Sequence, residues 1–169
     1  SGTVRDADTG LPIANVNVAA DTEQGGFYAD SQTDADGRYA VTGLVPGLYR
    51  VWADGRERGY IQTYYDGRVR WDDEDFVSVP ESEEVTGIDF NLAMGETISG
   101  RVTDAGSGLA VYELAVSADV DEGGAGAYTR GDARGNYLLA GLAPGRYRVR
   151  TNPQDSEATG AYVEEYYNG

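Results

Sequence analysis

The chain contains no cysteine, no histidine and no lysine, and a single methionine. Without cysteine there is no disulfide scaffold, thiol nucleophile, iron–sulfur cluster or zinc ribbon; without histidine there is no triad base and no imidazole ligand. All thirteen basic residues are arginine, at positions 5, 38, 50, 56, 58, 68, 70, 101, 130, 134, 146, 148 and 150; against them stand 29 acidic residues, for a net charge of −16. Neutralising phosphates needs clustered Lys and Arg, so the balance argues against nucleic acid as a partner. No run approaches the roughly 18 apolar residues a membrane-spanning helix needs, and direct membrane insertion is not expected. The opening Ser1-Gly2-Thr3-Val4-Arg5 has no signal-peptide pattern, so the chain is expected to be a mature, excised piece of something larger. The acidic excess suits solubility in concentrated salt or crowded surface layers, with a self-repulsion that divalent cations would relieve.

What is present is glycine, 24 residues of it, and tyrosine, 13 residues, in a chain of 169 that is long enough for one or two domains. Sliding the sequence against itself reveals a repeat at an offset of 98 residues. Ser1-Gly2 recurs as Ser99-Gly100, Asp6-Ala7 as Asp104-Ala105 and Gly10-Leu11 as Gly108-Leu109. The best block is Gly43-Leu44-x-Pro46-Gly47-x-Tyr49-Arg50-Val51 against Gly141-Leu142-x-Pro144-Gly145-x-Tyr147-Arg148-Val149. After four extra residues in the second copy, Tyr60-x3-Tyr64-Tyr65-Asp66-Gly67 answers Tyr162-x3-Tyr166-Tyr167-Asn168-Gly169. The first copy spans 1–98 and the second 99–169, which lacks a counterpart of the first copy's closing strands. Two readings of that difference stand side by side: an array that continues in the parent protein, or strands supplied by a neighbouring molecule.

Short alternating runs, among them Val16-Asn17-Val18, Tyr39-Ala40-Val41, Tyr49–Trp52, Asp75–Val79 and Val85–Leu92, predict strands with one apolar face, and no window carries a capped helical stripe. Asp36-Gly37 suggests a type I′ hairpin; Pro46-Gly47 suggests a type II turn, with Gly47 and Gly145 at positive φ and Tyr49 and Tyr147 packing back over it. The expectation is all-β: two tandem antiparallel Greek-key sandwiches of transthyretin-like or immunoglobulin-like architecture, joined with almost no linker through the junction from Leu92 to Gly100. Trp52, sharing parity with Arg50 and not Val51, is expected on the more exposed face.

The pattern Ser1-Gly2-x-Val4-x-Asp6-x3-Gly10-x-Pro12-Ile13, then Thr33-Asp34-Ala35-Asp36-Gly37-x-Tyr39, Gly43-Leu44-x-Pro46-Gly47-x-Tyr49 and Gly87-Ile88-Asp89-Phe90-x-Leu92 resembles the carboxypeptidase regulatory-like domains, a transthyretin-like sandwich family. The second copy departs from it at Ala110 for Pro12 and Arg134 for Asp36. The resemblance implies non-catalytic modules of secreted or surface proteins, used as spacers, adhesive repeats or appendages to degradative enzymes. In the related collagen-adhesin B-type repeats, Lys-to-Asn or Lys-to-Asp isopeptide bonds lock the sandwich. The absence of lysine forbids that bond here, as the absence of cysteine forbids a thioester.

Two residue sets stand out as candidate sites. Calcium, the one candidate cofactor, takes six to eight oxygens; Asp34 and Asp36 in Thr-Asp-Ala-Asp-Gly, and Asp72, Asp73 and Asp75 in the run 72–75, are its candidate ligands. A hairpin turn and a solvated acidic coat account for the same residues without an ion. The second set is Tyr60, Tyr64 and Tyr65 with Tyr162, Tyr166 and Tyr167, each trio beside an Asp or Asn. Core packing, contact between modules, and sugar stacking are its three readings. Were the segment a strand, Tyr60 and Tyr64 would share one face and Tyr65 the other. The expected function is a rigid spacer, adhesive or filament-forming repeat, extracellular or at the cell surface, whose partners are neighbouring repeats or other copies of itself. A polysaccharide-binding module using the tyrosines, and a subunit polymerising by donated strands, are the alternatives, and no enzymatic activity is expected.

Overall fold

A computed structural model of the chain describes residues 1–22, 26–69, 75–120, 126–155 and 162–167. The alternating runs form strands, and the only helical pieces among the described residues are single 3-10 turns, such as Arg56–Arg58. The first copy holds β1 (Gly2–Asp6), β2 (Asn17–Thr22), β3 (Tyr28–Gln32), β4 (Arg38–Tyr39), β5 (Gly47–Asp54), β6 (Thr63–Tyr64), β7 (Phe76–Val79) and β8 (Phe90–Leu92). The second holds β9 (Glu96–Arg101), β10 (Ala115–Val120), β11 (Ala127–Arg130), β12 (Asn136–Leu142) and β13 (Tyr147–Asn152).

Each copy is a pair of sheets. In the first, β4-β1-β8 faces β3-β2-β5, with β6 and β7 both pairing β5; in the second, β12-β9 faces β11-β10-β13. Among the described residues pairing is antiparallel except for β8, which lies parallel to β1 with Val4 opposite Phe90 and Asp6 opposite Leu92. Period-two alternation decides what lies inside. Along β5, Tyr49, Val51 and Ala53 are buried, while Arg50, Trp52 and Asp54 face outward, as the parity of Trp52 predicts. Val4, Val16, Val18, Tyr39, Tyr49, Phe90 and Leu92 share one core. That of the second copy is smaller: Val116, Ala118, Ala127, Leu139 and Leu142 are buried, while Val102, Tyr137, Tyr147 and Val149 only partly close over them.

The turns differ in detail from the sequence expectation. At Asp34–Arg38 the Gly37 N–H donates to the Asp34 carbonyl at 3.0 Å and the Asp34 N–H to the Arg38 carbonyl at 2.9 Å, with Gly37 at φ 74 and neither Ala35 nor Asp36 at positive φ. This is a type I turn closed by a glycine bulge and not a type I′ turn, which would need positive φ at both central residues. Gly47 and Gly145 are likewise not left-handed; the positive φ falls on Gly43 (78°) and Gly141 (70°), because Gly47 already belongs to the extended β5. The tyrosines do pack back as expected: the Tyr49 hydroxyl donates to the Val45 carbonyl at 2.9 Å and the Tyr147 hydroxyl to the Ala143 carbonyl at 2.7 Å, the arrangement of a tyrosine corner.

Candidate functional site

The segment after β5 does not run as one strand. The 3-10 turn Arg56–Arg58 and the irregular residues 61–62 reset the parity before β6, so Tyr60 and Tyr64 do not share a face. Tyr60 and Tyr65 pack against the core, and the Tyr60 hydroxyl donates to the Asp6 carboxylate at 2.9 Å. Tyr64 instead lies on the outer face, 8% exposed. Its ring sits 6.1 Å from that of Trp52, which in turn lies 6.2 Å from that of Tyr28. Gln62 donates to its hydroxyl at 3.0 Å. The first trio is therefore split between core packing and an outer aromatic row.

In the second copy the counterpart of Trp52 is Arg150 and that of Tyr28 is Gly126. Ion pairs replace the aromatic row: Arg150 reaches Asp119 at 2.7 Å and Glu164 at 3.2 Å. Tyr162 is half-buried, while Tyr166 and Tyr167 are 42% and 77% exposed. Tyr166 bridges to Arg150 across the backbone, as Tyr64 pairs with Trp52. Its hydroxyl bonds Glu164, which raises the phenol's pKa and lowers that of the carboxyl.

The acidic candidates serve the turns that hold them. The Asp34 carboxylate accepts the N–H groups of Asp36 and Arg38 at 2.9 and 2.8 Å, Asp36 pairs with Arg38 at 2.5 Å, and Asp75 lies 3.9 Å from Arg68. Asp72 and Asp73 lie outside the described residues. Among the described residues no three acidic side chains converge as a metal centre would require. Asp6 and its repeat mate Asp104 have the same local duty. Hydrogen bonds from Thr9 hold the Asp6 carboxyl below its ordinary pKa, and Ser107 does the same for Asp104.

A groove of about 680 Å³ lies between the two copies. The amides of Asn15, Asn17 and Gln32 line one wall, and Tyr128, Leu138 and Ala140 the other. Between them Arg56 spans the junction, bonding Asp54 at 2.6 Å and donating to the Gly126 carbonyl at 2.7 Å. Burial works to raise the Asp54 carboxyl, but the Arg56 hydrogen bond and charge outweigh it and leave the pKa lowered. Sequence reasoning missed this groove. Its one local signal is the pair of polar residues, Asn15 and Asn17, flanking buried Val16; the opposite wall is more than a hundred residues away in sequence.

Fold and junction define a tandem β-sandwich repeat. The chain belongs to the carboxypeptidase regulatory-like domain family, whose sequence model matches residues 1–91 and again 97–162. Among solved structures it is similar to the TIE protein of Bacillus anthracis, with 15% identity and a TM-score of 0.38 over 98% of this chain and 30% of that one. It is also similar to the streptococcal ancillary pilin, with 13% identity and a TM-score of 0.39 over 99% of this chain and 57% of that one. The chain thus spans less than two thirds of either protein. No curated protein matches it by sequence. Among the described residues no helix is long and apolar enough to cross a membrane.

Proposed function

We propose that the chain is a structural repeat of a secreted or cell-surface protein, two sandwiches held end to end as a stiff spacer that sets distance and performs no catalysis. The supporting observation is the junction. Only three residues separate β8, which ends at Leu92, from β9, which starts at Glu96. Those residues are pinned: the Ile61 N–H donates to the Ala93 carbonyl at 3.0 Å and the Gly95 N–H to the Gly59 carbonyl at 2.8 Å. The copies also touch backbone to backbone, since a Cβ on Gly141 would lie 2.5 Å from the Tyr60 carbonyl oxygen. A linker this short, pinned to the first copy at both of its ends and running straight into β9, leaves little slack for independent motion. Neighbouring repeats or other copies of the same protein are the partners such a rod would meet in an adhesive or filamentous assembly. NMR relaxation tests the reading: both copies tumble with one correlation time, and Arg56→Ala loosens the coupling. Separate correlation times in the unaltered chain would sink it.

A second reading, glycan binding, draws support from the junction groove. A pyranose has apolar ring faces and a hydroxyl rim, and this groove sets an apolar wall carrying Tyr128 and Leu138 against an amide wall of Asn15, Asn17 and Gln32. Affinity electrophoresis in neutral and acidic polysaccharide gels tests it. Retardation that Tyr128→Ala and Asn17→Ala abolish supports binding in the groove; retardation lost only with Tyr64→Ala would move it to the outer aromatic row.

A further inference from the structure

The outward face of the first copy's sheet β3-β2-β5-β6 leads toward the junction groove. Arg50, Trp52 and Asp54 follow one another on that face of β5, about 6.5 Å apart by strand geometry. Arg56, at the start of the 3-10 turn, bonds back to Asp54. A cavity of about 410 Å³ lies along this line, walled by Asp21, Arg50, Trp52, Gln62 and Tyr64. Asp54 and Arg56 line both this cavity and the junction groove, so the two hollows adjoin at that ion pair.

Three features define what such a surface takes. The Tyr28 ring, 57% exposed, and the half-buried Trp52 offer flat apolar faces, with Tyr64 packed against Trp52. The charges along the line are matched in pairs: Arg50 donates twice to the Asp21 carboxylate, at 2.9 and 2.7 Å, and Arg56 twice to Asp54, at 2.9 and 2.6 Å. A chain of net charge −16 thus presents here a strip without net charge, whose carboxylates keep lone pairs beyond those the arginines take. Third, Gln62 is 7% exposed and donates to the Tyr64 hydroxyl at 3.0 Å, but among the described residues its side-chain carbonyl accepts no hydrogen bond. Buried polar atoms are almost always paired, and Gln62 lines the cavity, so a hydroxyl entering there meets an unpaired acceptor. Apolar faces, a neutral strip of acceptors and donors, and a waiting carbonyl complement a chain of uncharged pyranoses, with its ring faces and hydroxyl rims.

We propose that the aromatic row and the junction groove are successive subsites for one extended, neutral oligosaccharide, stacked on Trp52 and Tyr28, hydrogen-bonded along Asp21, Gln62 and Asp54, and reaching Tyr128 across the junction. The proposal rests on the glycan reading of the groove and adds to it the charge class of the sugar, its length and the outer face of the first copy. The second copy does not repeat that face, since Arg150, Gly126 and Asn152 stand in the places of Trp52, Tyr28 and Asp54.

The test titrates the whole chain with linear oligosaccharides of glucose, xylose, mannose and N-acetylglucosamine, two to six sugars long, and with a galacturonic acid hexamer as the anionic control. Calorimetry reads affinity and NMR chemical shifts read position. At least one neutral series is expected to bind, tenfold or more tighter as hexamer than as dimer, and its hexamer should shift Trp52, Gln62 and Tyr128 together. Tyr28→Ala, at an exposed ring, and Trp52→Arg, which copies the second repeat, should each weaken the hexamer roughly three- to tenfold. Binding without gain from length, shifts confined to the groove and no effect of either variant overturn the extended site and leave the groove reading standing. Tighter binding of the galacturonate hexamer does the same. Shifts confined to the aromatic row, with Tyr128→Ala silent, remove the groove reading and with it the continuity of the site. No binding of any neutral series at millimolar concentration overturns both, as does tighter binding of a polyproline peptide, which would make the occupant a protein segment.

Discussion

The two copies carry the same turns, tyrosine corners and strand order, yet among the described residues the first buries thirteen in its principal core and the second five. Equal local sequence does not make equal domains. In the first copy β7 caps β5 and β8 seals the opposite edge, so that Tyr49 and Val4 are 0% exposed; in the second, Tyr147 and Val102 at the same positions remain half-buried. Burial here is a property of the neighbouring strand, not of the residue.

Removing that neighbour's anchor is the strongest way to break the contrast. Phe90→Ala is expected to cost about 3–5 kcal/mol, and hydrogen exchange in β2 and β5 should then fall to the protection seen in β10 and β13. If β2 and β5 already exchange as fast as β10 and β13 in the unaltered chain, the asymmetry of the cores has no energetic weight.

Glycine at the repeated turn gives a second contrast. Gly43 and Gly141 are both left-handed, but nothing lies within 4 Å of a Cβ on Gly43, whereas one on Gly141 meets the Tyr60 carbonyl and Arg56. Gly43→Ala should cost only the conformational strain of about 1–2 kcal/mol. Gly141→Ala adds a steric cost of roughly 1–3 kcal/mol and should wedge the copies apart. Calorimetry and small-angle scattering separate the two outcomes; equal costs and an unchanged radius of gyration would mean the junction yields freely.

A smaller effect sharpens the comparison from the other side. Asn15 and Glu113 hold the same left-handed backbone, φ 54 and 58, a conformation asparagine adopts at lower cost than glutamate. Glu113→Asn should stabilise the second copy by roughly 0.5–1 kcal/mol, less whatever its 3.7 Å pairing with Arg130 contributes. A lower melting temperature would show that the ion pair outweighs the strain.

The smallest difference is in acid. The Asp6 and Asp104 carboxyls are both held below their ordinary pKa, Asp6 by Thr9 and further by Tyr60, Asp104 by Ser107. The unfolded chain therefore binds more protons than the folded one, and stability rises with pH through this window. The contribution is in place above the unfolded value of about 3.9 and is lost as pH falls through the lower folded values. Asp6→Asn should flatten the acid limb of a melting-temperature profile more than Asp104→Asn, because only Asp6 also takes a tyrosine hydroxyl. Identical profiles for the two variants would remove Tyr60 from the explanation.

Much of the fold is legible in the residues. The 98-residue offset, the period-two runs, the outward Trp52 and the tyrosines folding back at Tyr49 and Tyr147 all follow from local rules, because alternation and turn chemistry act within a few residues. The tyrosine trio was legible as a repeat but not in its geometry. A 3-10 turn at Arg56–Arg58 changes the parity that a strand would have imposed, and no local signal distinguishes Tyr60, bonded to Asp6, from Tyr64, stacked on Trp52. Nor does the sequence reveal the junction groove, whose walls come from Asn17 and Tyr128.

By itself, then, the sequence determined the repeat, the all-β class, the short junction and the chemistry that cannot occur: no thiol, no imidazole, no lysine cross-link. Tertiary structure decided which of two equivalent glycines is a contact and which of two equivalent tyrosines is core. The reason is physical. Turns and alternation are set by a residue and its immediate neighbours, whereas burial and close approach are set by whatever the fold brings alongside, and the two copies have different company.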